Sequence, residues 1–176
     1  MIELKVKSFQ QIMIGLVVTL IALILQSTLL KFFLPSQFIP NICLIFVLFL
    51  AFYEVSIVGA VLTFLVGLLF DVNSGVLLGP WSAAFSATFC VLSLLSRRIF
   101  LDSFLASSLL AFASGVFATA IYLGFLYQFQ HSVLDITGFL TECLVTALIA
   151  PFFLFVFKVV LVRKWPIYAQ RNISSV

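Results

Sequence analysis

The stretch that decides the fold is Gly59–Gly79, GAVLTFLVGLLFDVNSGVLLG. Every fourth position is small or acidic: Gly59, Thr63, Gly67, Asp71, Gly75 and Gly79. The residues between are mostly Leu, Val and Phe. Four residues turn roughly 400° about a helix axis, so the set drifts only about 40° per step. Over Gly59–Asp71 it makes one narrow groove on a bulky, apolar helix. Small-xxx-small spacing lets a second helix approach closely in lipid. Asp71 ends the groove with a carboxylate, which is costly in hydrocarbon and therefore a functional candidate. Two readings stand side by side: helix packing with Asp71 in a turn just past the span, or a site that uses the charge.

Outward from this stretch, composition sets the class. The chain has 176 residues, 64% hydrophobic and 9% charged, with 22 Phe. A soluble domain of this size has no means of hiding so much apolar side chain, so the runs are expected to be transmembrane helices in one all-α domain. No basic, aromatic-interleaved patch suited to nucleic acid is present.

Met1–Phe9 is a short basic lead with Lys5 and Lys7, and Gln11–Leu30 is almost wholly apolar. The run is longer than the apolar part of a signal peptide and lacks a small-x-small cleavage site, which predicts a retained first helix. Pro35 and Pro40 bracket a loop. Phe38–Phe70 is a 33-residue apolar run interrupted by Glu54. As one helix it would be about 50 Å long, too long for a single crossing of about 30 Å. Splitting at Tyr53-Glu54 gives two short spans. Asp71–Pro80 has turn chemistry, with Asp, Asn, Ser, Gly and Pro. Later runs end at Arg97-Arg98, at Gln128 and near Arg163-Lys164, and Pro151 lies in the middle of the last. The expectation is six spans, about 11–30, 39–53, 56–71, 81–96, 103–127 and 138–162.

Charge placement favours the split. With six spans and both termini cytoplasmic, Lys5, Lys7, Arg97, Arg98, Lys158, Arg163, Lys164 and Arg171 fall at one face and only Lys31 at the other. A single helix over Phe38–Phe70 would put Arg97 and Arg98 outside. Glu54 is then expected in a turn at the inner surface, and Asp71–Pro80 and His131 at the outer face.

Chemistry-bearing residues are sparse. Cys43, Cys90 and Cys143 lie in separate apolar runs without CxxC spacing and read as small core residues. One histidine, His131, beside Asp135, cannot supply a metal cluster and reads as part of a wet loop. No HExxH, GxSxG or P-loop occurs. Asp102, four residues after Arg98, is placed for a helical pair worth a few tenths of a kcal/mol. Glu142 opens a small stripe with Thr146 and Ala150, and Ser107, Ala111, Gly115 and Ala118 form another. Asp71 and Glu142 lie at the outer ends of spans, where neither needs a partner. The middles of the spans carry no charge, which argues against an ion pump, and no catalytic, metal or cofactor-binding residue is expected.

Pro40-Asn41 before a short apolar helix, followed by Thr63, Gly67, Asp71, Gly75 and Gly79 with Gly67-Leu68-Leu69-Phe70-Asp71 as a GLLxD signature, resembles the MreD family. These are the rod-shape-determining membrane proteins of bacteria. The specific part covers Pro40–Gly79, with Thr63 where a glycine would make the ladder more regular. The resemblance implies a non-enzymatic inner-membrane protein that works with MreC in the elongation machinery. That machinery includes a SEDS-type glycosyltransferase, a class B transpeptidase and the actin-like MreB filament. It also implies a fold similar to the substrate-binding subunits of energy-coupling-factor vitamin transporters. The alternative is therefore such a transporter subunit, with an outer-face pocket built from Asn73, Trp81 and Glu142. Its energising partner would want a small-residue seam on the first helix, where Gly15 and Ala22 have the wrong spacing. A flippase would need a basic cavity, which the sequence does not predict. Asp71 is expected to accept hydrogen bonds from backbone N–H groups of Val72–Gly75, with the glycines supplying unusual backbone angles.

Overall fold

The computed structural model describes residues 2–29, 32, 38–75, 78–96, 98, 103–130 and 136–161. Lys31, Pro35, Arg97, Asp102, His131, Asp135, Arg163, Lys164 and Arg171 lie outside the described residues. The fold is all-helical: α1 (Ile2–Ile24, continued by a π-helical turn, Leu25–Leu29), α2 (Ile42–Tyr53), α3 (Ile57–Ser74), α4 (Pro80–Leu95), α5 (Phe104–Gln130) and α6 (Ile136–Leu161). Three segments are long and apolar enough to cross a membrane: Ile57–Ser74, Phe104–Gln128 and Thr137–Leu161. Ile12–Thr28, Ile42–Tyr53 and Pro80–Leu95 are shorter apolar helices.

The break expected at Tyr53-Glu54 is present. α2 ends where the Glu54 N–H donates to the Leu50 carbonyl at 2.7 Å. Ser56, extended at φ −142°, caps α3 by accepting from the Gly59 N–H at 3.3 Å. The same hydroxyl donates to Glu54 Oε1 at 2.7 Å, so one side chain serves both helix ends. Glu54 itself is buried rather than at the surface as expected, because α3 folds back over it. Gly59 makes that reversal feasible: a Cβ there would run into the Glu54 carbonyl oxygen.

α2 is the axis of the molecule. Ile42 to Ala51 are all buried, and α1, α3, α4, α5 and α6 all pack against it. A helix that is apolar all round is suited to burial in protein or in lipid, and here the burial is in protein. At about 18 Å it is shorter than the hydrocarbon layer, and its neighbours cover it instead of lipid. Phe46 and Phe49 anchor it against Phe157 of α6, with ring centroids 5.4 and 5.8 Å apart.

The outer helices carry their polarity inside out. On α6, Leu144, Leu148, Phe152, Phe155 and Val159 are exposed, whereas Thr146, Ala147 and Ala150 face inward. On α5, Ser107, Ala111, Ser114, Gly115 and Ala118 are buried and Leu105, Leu109 and Phe117 are exposed. Both small-residue stripes read from the sequence thus face the core. Small residues inside and large apolar ones outside suit helices surrounded by hydrocarbon, where close packing rather than water exclusion holds them together. These apolar surfaces and the three long apolar helices mark the chain as a membrane protein. α1 packs on α3 where Gly15 meets the Leu62 side chain, and Thr19 Oγ1 donates to the Gly15 carbonyl at 2.8 Å.

Candidate functional site

The groove on α3 is a packing seam. Gly59, Thr63, Gly67 and Asp71 are all buried, and α3 makes its most extensive contact with α4. At Gly67 the backbones nearly touch: a Cβ would overlap Ser82 Cα and come within 2.9 Å of the Ser82 nitrogen. The Thr63 hydroxyl is buried and finds no hydrogen-bond partner among the described residues.

One turn beyond Gly67, the seam ends at Asp71, only 1% exposed. Its carboxylate accepts three backbone hydrogen bonds, though not from Val72–Gly75. Oδ2 accepts from the Gly79 N–H at 3.0 Å and the Ser82 N–H at 3.1 Å, and Oδ1 accepts from the Trp81 N–H at 2.9 Å. The expectation fails because α3 does not stop at Asp71; it runs on to Ser74. An aspartate inside a helix directs its side chain across to the neighbouring helix, and here that neighbour is the start of α4.

α4 needs this acceptor. Its N-cap is Gly79, which has no side chain, and its first residue is Pro80, which has no N–H. Asp71 supplies the missing cap from the preceding helix, and its negative charge sits at the positive end of the α4 dipole. The connection is short because both flanking glycines take backbone angles that favour glycine, Gly75 at φ +67° and Gly79 at φ +121°. All six positions of the ladder thus have a structural use or location: Gly59, Thr63, Gly67 and Asp71 in the seam, Gly75 and Gly79 in the turn.

A second junction lies beside it. Asn41 caps α2, its Oδ1 accepting from the Leu44 N–H at 3.0 Å. Its own N–H donates to Thr146 Oγ1 at 2.9 Å, and its Nδ2 donates to Glu142 Oε1 at 3.3 Å. Thr146 Oγ1 in turn donates to the Glu142 carbonyl at 2.7 Å. The Glu142–Thr146–Ala150 stripe is therefore the surface on which α2 starts, and Glu142 has a partner the sequence did not reveal.

Aromatic rings join the two junctions. Trp81 stacks on Tyr122 with centroids 4.3 Å apart, and Phe70 meets Trp81 edge-on at 5.0 Å. Trp81, Asn41, Thr119, Glu142 and Thr146 border a cavity of about 10 Å³, room for about one water. The outer pocket expected from Asn73, Trp81 and Glu142 is assembled in part. Trp81 and Glu142 come together, but Asn73 is exposed. Two residues beyond Asp71, it points roughly 200° round the helix from the seam.

Sequence reasoning left out Asn41, which borders the pocket, and Tyr122, which stacks on its Trp81 wall. An Asn immediately before an apolar run is a readable helix-start signal, whereas nothing marked Tyr122. Among the described residues no group of three or more His, Cys, Asp or Glu side chains is placed to hold a metal ion. Cys43 and Cys143 are buried, Cys90 is exposed rather than in the core, and all three are free thiols.

Fold and site together define a helical membrane protein whose buried carboxylate is committed to closing a helix junction. Comparison of the chain with protein families, with curated proteins and with solved structures finds no match.

Proposed function

We propose that this protein is a non-enzymatic, MreD-like component of the bacterial cell-elongation machinery. In this reading all six helices lie in the inner membrane with both termini cytoplasmic. The protein binds MreC and helps organise lateral peptidoglycan synthesis with the SEDS glycosyltransferase and class B transpeptidase. The supporting observation is the commitment of Asp71: among the described residues, the three hydrogen bonds its carboxylate accepts all come from backbone N–H groups at the start of α4. The motif that carries the resemblance then serves to shape one end of a bundle, as a scaffold requires. A transporter's substrate-binding subunit, the alternative, needs an outer pocket, and the cavity beside Trp81 and Glu142 has room for about one water.

Affinity purification of the tagged chain from a rod-shaped bacterium after mild detergent extraction tests the reading. Recovery of MreC and the glycosyltransferase–transpeptidase pair is the expected result. Recovery of an ATPase module in their place would transfer the assignment to the transporter class.

A further inference from the structure

The end of the bundle remote from Asp71 carries an open cleft of about 250 Å³ between α2, α5 and α6. Tyr53, Ser103, Ser107 and Lys158 bring polar atoms to it, and Phe104 and Phe155 form apolar walls. The Lys158 ammonium lies over the Tyr53 ring, 5.9 Å from its centroid, an arrangement that orients a cation. Ser103 caps α5, its Oγ accepting from the Ala106 N–H at 3.1 Å. Phe104 and Phe155 are 64% and 65% exposed, so the apolar walls continue onto the outer face of the bundle.

An occupant would therefore meet a cation and hydroxyls at one end and aromatic rings alongside. That is the chemistry of an amphiphile with an anionic head. The volume falls just short of the roughly 300 Å³ of the smallest drug-sized sites, which suits a headgroup rather than a whole lipid. Arg98 sits at the same end, and anionic lipid is attracted to basic residues at the cytoplasmic surface.

We propose that this cleft seats the phosphate headgroup of an anionic phospholipid of the cytoplasmic leaflet, with an acyl chain running along Phe104 and Phe155. Lys158 supplies the charge and the Ser103 hydroxyl supplies a donor, while the Ser107 hydroxyl donates to the Phe104 carbonyl at 2.8 Å and only lines the cleft. A free phosphate ion would find the same cation but leave the apolar walls unused, which is why the lipid is the favoured source. The proposal rests on the basic end facing the cytoplasmic leaflet, not on the identity of any protein partner.

Native mass spectrometry of the purified chain, after equilibration with phosphatidylglycerol and phosphatidylcholine in detergent, tests it without any partner present. The parent is expected to retain phosphatidylglycerol preferentially. Lys158→Gln should lower that preference about fivefold, the scale of one basic residue at an anionic surface. Lys158→Arg should keep it, and so should Arg98→Gln, which removes a charge at the same end but outside the cleft. Added inorganic phosphate should leave the lipid bound. Equal retention of the two lipids by the parent, or equal loss from Arg98→Gln and Lys158→Gln, would overturn the proposal in favour of diffuse surface attraction. Displacement by inorganic phosphate would overturn it in favour of a free-anion site. Lys158 is exposed, so its variants are expected to fold, and melting temperatures measured in the same detergent verify this.

Discussion

The two ends of the bundle solve opposite problems. At the Asp71 end, backbone N–H groups, a carboxylate, an asparagine and stacked rings close on one another around a cavity of about 10 Å³, and the open space beside it, about 140 Å³ between α5 and α6, is an apolar groove without a charged residue. At the Tyr53 end, three helices part around about 250 Å³ and place a lysine at the opening. The difference follows from how each end is built. The Asp71 end joins α3 to α4 through a short turn, and among the described residues Asp71 is what satisfies the start of α4. The Tyr53 end gathers the end of α2, the start of α5 and the end of α6, which belong to different connections. A closed end can present a fixed surface; an open one can accept something small.

The largest effect is expected at the seam that holds the closed end. Gly67→Leu places a side chain where even a Cβ overlaps Ser82, and overpacking of this kind costs about 1–3 kcal/mol or more. Gly124→Leu is the matching control, since a Cβ at Gly124 meets nothing within 4 Å. Fluorescence-detected size-exclusion chromatography should show little monodisperse Gly67→Leu protein and parental recovery of Gly124→Leu. Equal recovery would mean that the helices separate at no cost and that the closed end is not rigid.

A smaller loss is expected from Asn41→Ala. It removes the α2 cap and the contact with Glu142, for about 1–2 kcal/mol. Thermal melting in detergent should fall by several degrees. An unchanged melt would show that the jacket around α2 alone holds the helix start.

The smallest effect on stability belongs to the open end. Lys158→Gln should shift stability by no more than about 0.5 kcal/mol, as for exposed positions generally. A larger shift in the same melting assay would make Lys158 part of the bundle's framework and erase the contrast between the ends.

Much of this was legible in the residues, for stateable reasons. The break at Glu54 follows from length against bilayer thickness and from the placement of Arg97 and Arg98. The burial of Gly59, Thr63, Gly67 and Asp71 follows from their four-residue spacing. The destination of the Asp71 carboxylate did not follow, because its donors lie eight to eleven residues away across a turn. A cue was present in Gly79-Pro80, a helix start with no capping side chain, which must be satisfied from elsewhere. The central place of α2 was not legible either. An apolar run reads the same whether lipid or protein surrounds it, and only its shortness separates the cases. Asn73, expected in the pocket as a polar residue of the outer face, lies outside it because two residues along a helix turn roughly 200° from Asp71. Tyr53, Ser103 and Lys158 come from three distant segments, and no local pattern marks their convergence.

The closed end of the bundle depends on Asp71 acting as a structural cap. Both of its oxygens accept from backbone donors, so Asn, with one oxygen and an NH₂ group, cannot replace it as a simple turn residue would allow. Asp71→Asn, measured for melting temperature in detergent and for partner recovery in the same preparation, separates the two readings. The structural account predicts a melting temperature several degrees below the parent, for a loss of about 1–3 kcal/mol, with partner recovery falling in step. A parental melting temperature with recovery or cell shape lost would contradict it, because the charge itself would then be what the protein uses.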